Sequence, residues 1–448
     1  QVRVLFHHAP NLVSSSAIAG FDPATGKVDL ARRELKVQKD KSGPAFRYAL
    51  LNAPTALIQG TWVVRDEAGG TIALYYFPRD PANLAGRIEI STRDHCLDFG
   101  AARHVELTGL EFLRAAGEDR TAGMGIRHEA RKGETGDRGL KISHCRAGET
   151  LSTASRGYGA VYIRGVEGLT IGNLTIDRAR GSFGIFLNDC TGADLRFLHL
   201  TGISQSPARF FGLRNSVLAF SLMEESGWDA HANQFNFYEG SDAILVYGIR
   251  TRNLGGYATY QEASRIFYAF CDLAPSAHEG DSRVLASQNR PAGAGQGGPD
   301  GSGEPFQGGT FWYWNLTLPA KASEPNPAKA LTLGPGGSSQ NHAVHNCVIH
   351  GGGFADLYLK KSKKGGESRS HNIYTGLAHW QGKKSGWSLA AGESMAKAGA
   401  VPRGRGMDMR EMIAAQIAPL FPAFTDWDRD VDFRPVDWSA PPIGATVA

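Results

Sequence analysis

The chain is short of nearly everything that marks a helical, membrane-embedded, nucleotide-binding or disulfide-stapled protein. It has six Met in 448 residues, and between positions 105 and 374 no stretch places apolar residues at i, i+3, i+4 and i+7, which excludes a βαβ organisation there. No apolar run approaches the ~18 residues that cross a bilayer. Five Cys form neither a CxxC pair nor a disulfide framework. No GxxxxGK[ST] follows a strand, so there is no phosphate loop. His7-His8, His342 with His345, and His278-Glu279-Gly280-Asp281 lack tetrahedral N/S spacing, so neither a metal nor a cofactor is expected. A net charge of +4 with pI near 8.7 is too weak a signal for nucleic acid, yet compatible with an acidic polysaccharide.

What is present is glycine, 56 residues against 21 Pro, and a repeated phrase. Alternating apolar residues lead to a bend of Asn, His or Gly, and an apolar residue follows: Leu107-Thr108-Gly109-Leu110, Ile142-Ser143-His144-Cys145, Ile171-Gly172-Asn173-Leu174, Phe197-Leu198-His199-Leu200, Phe220-Ser221-Leu222, Val246-Tyr247-Gly248-Ile249, Tyr268-Ala269-Phe270-Cys271, Trp314-Asn315-Leu316, Val344-His345-Asn346-Cys347 and His371-Asn372-Ile373. The steps between phrases are 35, 29, 26, 22, 27, 22, 45, 31 and 26 residues. Such steps, with strand-like alternation and no helix between, predict an all-β right-handed parallel β-helix. The bends predict left-handed backbone, and Cys145, Cys271 and Cys347 predict a stacked core column.

A second column holds the strand-like runs at 161–164, 185–188, 235–238, 258–261, 331–333 and 357–360. Alternation points Ile185, Leu187, Phe235, Phe237, Ala258 and Tyr260 inward. It leaves Tyr162, Arg164, Phe186, Asn188, Gln234, Asn236, Tyr238, Tyr257, Thr259 and Gln261 as a polar and aromatic outer wall of the kind that binds sugars. Residues 1–100 read as a β-rich N-terminal cap domain, 101–390 as the parallel β-helix, and 391–448 as a C-terminal cap and tail in which Met407 to Ile417 has helical spacing. Residues 111–138 read as a polar loop, and 292–309 as a lid or a disordered insertion.

Phe6-His7-His8-Ala9-Pro10-Asn11, Gly60-Thr61-Trp62-Val63-Val64-Arg65-Asp66 and Ala73-Leu74-Tyr75-Tyr76-Phe77-Pro78-Arg79-Asp80, followed by strand repeats, resemble the organisation of secreted bacterial proteins of glycoside hydrolase families 141 and 120, within the pectate-lyase-like superfamily. The match covers residues 1–390, and its motifs are structural. This chain has His7-His8-Ala9 where the family phrase has Ala-Arg followed by an aromatic residue. The resemblance implies a carbohydrate-active enzyme working outside the cytoplasm, secreted or periplasmic, and it transfers no catalytic residue.

The richest chemistry lies between 226 and 262. Asp229, Glu239 and Glu262 are candidate catalytic carboxylates and His231 a candidate acid or base. Trp228, Asn233, Asn236, Tyr238, Tyr257, Gln261, Arg209 and Asn188 are candidate substrate-binding residues. Carboxylates about 5–5.5 Å apart serve a retaining glycosidase, and about 6.5–9.5 Å an inverting one. Glu224 or Glu225 is expected on the same side. The competing chemistry is β-elimination on a uronic acid, with His231, Tyr238 or Tyr257 moving protons, Asn233, Asn236 or Gln261 as neutraliser, and Arg178, Arg180, Arg209 or Arg214 holding carboxylates. The Lys and Arg pair of polysaccharide lyase family 6 and the clustered-Asp calcium site of pectate lyases have no counterpart here. A third reading is a non-catalytic glycan-binding protein. The expected partner is a polysaccharide or oligosaccharide, with no nucleic acid and no membrane, and the protein is expected to be a monomer.

Overall fold

The computed structural model describes residues 3–9, 12–25, 27–31, 47–51, 61–66, 72–77, 91, 93–117, 123–130, 137–152, 158–228, 232–238, 240–260, 263–277, 284–287, 310–318, 331–332, 341–350, 367–375, 389, 391–396 and 406–445. The chain divides into two compact units, Gln1–Ser91 and Thr92–Ala448. The fold is all-β. Its described helix is a single short element near the C-terminus, Arg410–Met412 with the π and 3-10 turns that continue it. No described helix is long and apolar enough to cross a membrane.

The first unit holds antiparallel strands in the order Lys27–Leu30, Leu12–Asp22, Arg3–Ala9, Arg47–Leu51, and a separate hairpin of Thr61–Asp66 with Ile72–Phe77. Asp22 closes the turn between Leu12–Asp22 and Lys27–Leu30. Its carboxylate accepts from the Ala24 backbone N–H at 2.9 Å and from Thr25 Oγ1 at 2.6 Å, a turn chemistry Asp performs well.

In the second unit, successive strands go in rotation to a nine-stranded, a ten-stranded and a six-stranded parallel sheet, with a four-stranded sheet after the last. Alternation decides what each strand buries. In the ten-stranded sheet one register column runs Leu107, Ile142, Ile171, Leu195, Leu218, Val246, Tyr268, Tyr313, Val344, and all of these lie in the main core. A fully buried aliphatic or aromatic side chain is worth about 1.5–3 kcal/mol, so stacking like on like down the sheet supplies the driving force. Cys145, Cys271 and Cys347 are buried as expected; Cys190, outside that column, is equally buried in the core, and Cys96 packs against its edge.

The bends are left-handed, though not always at Asn, His or Gly. Gly109, His144, Asn173, Gly248, Asn315, Asn346 and His371 have positive φ, and so do Phe197, Phe220 and Phe270. In the phrase ending at Leu200 the bend is therefore Phe197, two residues before His199. A bulky residue in this conformation costs about 1–2 kcal/mol. Aromatic pairs worth about 0.5–1.5 kcal/mol each offset it: Phe197 stacks on Phe220 at 5.7 Å, Phe433 stands edge-on to Phe220 at 4.8 Å, and Trp438 meets Phe270 at 6.2 Å.

One loop expectation changes, and the second column gains a strand. Residues 111–138 contain the strands Glu111–Leu113, Ala116–Gly117, Met124–Glu129 and Asp137–Arg138. A strand at Ala208–Phe211 also stands between Phe183–Asn188 and Phe235–Tyr238, so the last two are second neighbours in their sheet. Residues 292–309 and 357–360 lie outside the described residues.

The C-terminal segment lies along the outer face of the ten-stranded sheet. Met409, Ile413, Ile417, Phe421, Phe424, Val436 and Trp438 cover Val217, Ala219, Leu245, Tyr247, Phe267, Trp312 and Trp314 in a second apolar cluster. The Tyr247 hydroxyl donates to the Arg429 carbonyl at 2.7 Å with the Trp427 carbonyl 3.0 Å away. Asn346 binds both backbone groups of Met407, at 2.8 Å each. The spacing of Met409, Ile413 and Ile417 is thus an apolar stripe matched to a sheet face.

One polar pair interrupts this contact. His345 and Ser370 continue the row of Tyr247, Ala269 and Trp314. His345 is 3% exposed, with Nδ1 2.8 Å from Ser370 Oγ, and Ser370 donates to Met407 Sδ. Burial, and then the neighbouring His371, push the His345 pKa down to about 4 against an opposing pull from Glu393. Protonation therefore favours the unfolded chain, and the stability this neutral ring preserves is lost as pH falls from about 6.5 toward 4. The loss approaches about 3 kcal/mol. Thermal melts between pH 7 and pH 4 are expected to fall more steeply for wild type than for His345→Gln; parallel curves would contradict this.

Candidate functional site

The candidate site is the outer face of the nine-stranded sheet. Two outward rows cross it. One runs Arg127, Tyr162, Phe186, Arg209, Asn236; the other runs Glu129, Arg164, Asn188, Phe211, Tyr238. Strand neighbours within a row stand about 5 Å apart, and the two rows about 6.6 Å apart. The inward neighbours Ile185, Leu187, Phe210, Phe235, Phe237 and Ala258 are all in the core, which locks the backbone that carries the face.

At the N-terminal end the face is ionic. Arg127 bonds Asp98 at 2.6 Å and Glu129 at 2.5 Å, and Arg164 reaches Glu129 at 3.3 Å and Asp189 at 3.6 Å. Tyr162 bonds Asn188, and burial followed by the charge of Glu129 pushes its phenol above the ordinary range.

In the middle the face is aromatic. Met124, Tyr162, Phe183 and Phe186 form a buried cluster with Tyr158 and Phe211 packed on it, and Phe211 stacks on Tyr238 at 4.7 Å. The Arg209 guanidinium lies among these rings, 4.4 Å from the centroid of Phe183, 4.9 Å from Tyr238, 5.0 Å from Phe211 and 5.8 Å from Phe186. Asn236, 1% exposed, donates through Nδ2 to the Tyr238 hydroxyl oxygen at 2.8 Å.

Arg209, Asn236, Tyr238 and Asn188 are thus brought onto one face. Asn233 stands at the turn before its strand, its N–H donating to Ser206 Oγ at 2.9 Å. Trp228 is 52% exposed, and its indole N–H donates to the Glu225 carbonyl at 3.1 Å. Tyr257 is buried rather than part of an open wall. Gln234 also turns inward, donating to the Ala274 carbonyl at 2.6 Å and accepting from Thr251 at 3.0 Å. Asp229, His231, Glu239, Gln261 and Glu262 lie outside the described residues.

Glu224 and Glu225 belong to the six-stranded sheet, where Glu224 meets His199 at 2.8 Å and Glu225 accepts from Asn253 at 2.7 Å. That sheet presents an ion-pair ladder. Arg146 binds Asp177 at 2.9 Å and Glu111 at 3.5 Å, while Arg178 and Arg114 bind Glu149 at 2.6 and 2.8 Å. Burial would raise the Asp177 carboxyl, but the Arg146 and Arg178 hydrogen bonds outweigh it and hold the group below its ordinary range. Arg178 is therefore engaged on another sheet, and Arg214 donates to the Gly240 carbonyl at 3.2 Å.

Sequence reasoning missed the setting of Arg209 because its strand, Ala208–Phe211, is four residues long and does not alternate in polarity. The signal available was the pair of rings that follows it. Among the described residues no group of three or more His, Cys, Asp or Glu is arranged to hold a metal. No protein-family model matches this chain, and no curated protein matches it.

Proposed function

We propose that the Thr92–Ala448 unit is a right-handed parallel β-helix that works outside the cytoplasm and cleaves glycosidic bonds of a polysaccharide lying along the nine-stranded sheet. The rotation of strands among three parallel sheets supports the architecture, and the strong bias of parallel connections supports the hand. The resemblance to secreted glycoside hydrolase families 141 and 120 supports the location.

One observation carries the functional reading. Of the three outer faces, the ten-stranded one is covered by the C-terminal segment and the six-stranded one is an ion-pair ladder, whereas the nine-stranded one keeps Phe211, Tyr238, Asn188 and Arg209 partly exposed beside a buried ring cluster. Rings take the apolar faces of sugars, and amides and guanidinium take their hydroxyls.

Hydrolysis is the first reading. Two of Asp229, Glu239 and Glu262 would serve as acid and nucleophile or base, with His231 as a further acid or base candidate. Elimination is the second, favoured by a specific contact: with Asn236 donating to the Tyr238 oxygen, the Tyr238 proton is left to move toward a leaving group.

A digest of a polysaccharide panel separates the readings. New reducing ends without ultraviolet-absorbing unsaturated ends mean hydrolysis, unsaturated ends mean elimination, and saturable binding with neither product means a glycan receptor. Under hydrolysis, Asp229→Asn, Glu239→Gln or Glu262→Gln is expected to lower turnover at least about 100-fold. Full turnover in all three, and in His231→Ala and Tyr238→Phe, would move the site elsewhere.

A further inference from the structure

We infer that the bend between the ten-stranded and six-stranded sheets, where Phe433 of the C-terminal segment meets Phe197, is a second glycan-binding site that holds the polymer without cleaving it; this rests on the glycan reading above. The inference starts from two rings that are strained and yet left in water. Phe197 and Phe433 have φ of 55° and 61°, and they are 42% and 43% exposed. At the Phe197 bend of other coils, Asn173, Asn315 and Asn346 take the same conformation at lower cost. Contacts with Phe220 offset the strain, but they do not require the rings to face solvent. Side chains held at such cost cluster where a protein binds or reacts. The same contacts make the rings stiff. Phe197 stacks on Phe220 at 5.7 Å with planes 19° apart, and Phe433 stands across both, 6.0 Å from Phe197 and 4.8 Å from Phe220. Rings ordered before the ligand arrives lower the cost of binding it.

The surroundings decide what the rings take. Coil upon coil, the bend runs His144, Asn173, Phe197, each N–H bonded to a carbonyl of the next coil. His144 and Asn173 are both exposed, and Asn173 Nδ2 lies 3.4 Å from His144 Nε2. Beside Asn173 stands Gly172, in register with Arg196 on the next strand, and a methyl group added to it would meet no atom within 4 Å. An aromatic ring, an amide and an imidazole therefore border open space, a mixture that takes the apolar face of a sugar while bonding its hydroxyls. At about 150–250 Å² per aromatic side chain, the exposed parts of the two rings come to roughly 130–210 Å². A stable protein interface needs about 800 Å² per partner, whereas one or two sugar rings cover the smaller patch. The bend joins the two sheets that do not carry the candidate catalytic face, so only a long chain engages both surfaces, and such a chain gains by being held twice.

The test measures binding to biosensor surfaces carrying hydroxyethyl cellulose, xylan, galactomannan or polygalacturonate. Wild type is expected to bind at least one of them. Phe197→Asn, which puts a residue at ease in the left-handed bend, is expected to weaken that binding about 10-fold, the order set by covering one exposed ring face. Tyr238→Ala, on the nine-stranded face, should retain the share of binding due to the bend, and the double variant should retain none. A Phe197→Asn protein that binds as wild type does overturns the assignment, and so does a Tyr238→Ala protein that has lost all binding. A wild type that light scattering shows to be a dimer, beside a monomeric Phe197→Asn, gives the bend to a second copy and overturns it too. Should Phe197→Asn fail to fold, Phe433→Asn decides. Binding lost only in Tyr238→Ala sinks this assignment alone, whereas binding to no polysaccharide in the set or in the wider panel sinks the glycan reading as well.

Discussion

A chain stopped after residue 405 is expected to be recovered as aggregates or soluble oligomers, with its thermal transition lowered or lost. The removed segment contributes seven buried apolar side chains, Met409, Ile413, Ile417, Phe421, Phe424, Val436 and Trp438, and leaves Leu245, Tyr247, Phe267, Trp312 and Trp314 facing water. At about 1.5–3 kcal/mol per buried side chain, the gross contribution rivals the ~5–15 kcal/mol net stability of a whole protein, although ordering the segment offsets much of it. A contiguous apolar patch of that kind drives association. Light scattering after size-exclusion chromatography checks the outcome; a monomer melting at the wild-type temperature would mean that the segment is only loosely held. Phe424→Ala is the milder form of the same experiment, removing a ring that touches Tyr247 at 4.9 Å and Trp427 at 4.8 Å, with a cost of roughly 3–5 kcal/mol.

Gly256→Ala should be the most damaging single-methyl change near the candidate site. Gly256 has a φ of +69°, and a Cβ there would stand 1.9 Å from the Ala232 carbonyl oxygen and 2.7 Å from the Asn233 Cα. Both are backbone atoms, so the turn that carries Asn233 would have to move. The left-handed conformation adds about 1–2 kcal/mol and the clash about 1–3 kcal/mol, giving roughly 2–5 kcal/mol in a urea titration together with weaker glycan binding. Gly168→Ala provides the comparison. Its φ is +73°, but nothing lies within 4 Å of the added methyl, so only the conformational part, about 1–2 kcal/mol, is expected. Equal costs at the two positions would show that the approach of Gly256 to residues 232–233 is not what the glycine provides.

The contrast between these glycines parallels what the sequence could and could not reveal. The inward and outward alternation of Ile185, Phe186, Leu187 and Asn188 was legible because a strand has a period of two and one face must be dry. The left-handed bends at Asn173, Asn315 and Asn346 were legible because Asn and Gly occupy that conformation at least cost. Phe197, Phe220 and Phe270 were not, since their cost is met by Phe433, Phe424 and Trp438, more than 150 residues away. Contacts that distant leave no local period in a sequence. Gln234 and Tyr257 were misassigned for a related reason: each stands just before its strand, where alternation no longer governs direction. Arg209 was identified as a binding residue from its charge, but three of the four rings around it come from two other strands and only coordinates assemble them.

The C-terminal segment also bears on the order in which the protein can be made. Strand pairing in the parallel sheets links each repeat to the next, so those contacts can form as the chain emerges. The segment instead reaches back to strands far upstream, as in the Arg196–Asp426 ion pair, which closes a separation of 230 residues. During synthesis an oily flank therefore stays open until residues 409–438 have been added, and it is in that interval that the nascent chain depends most on chaperones.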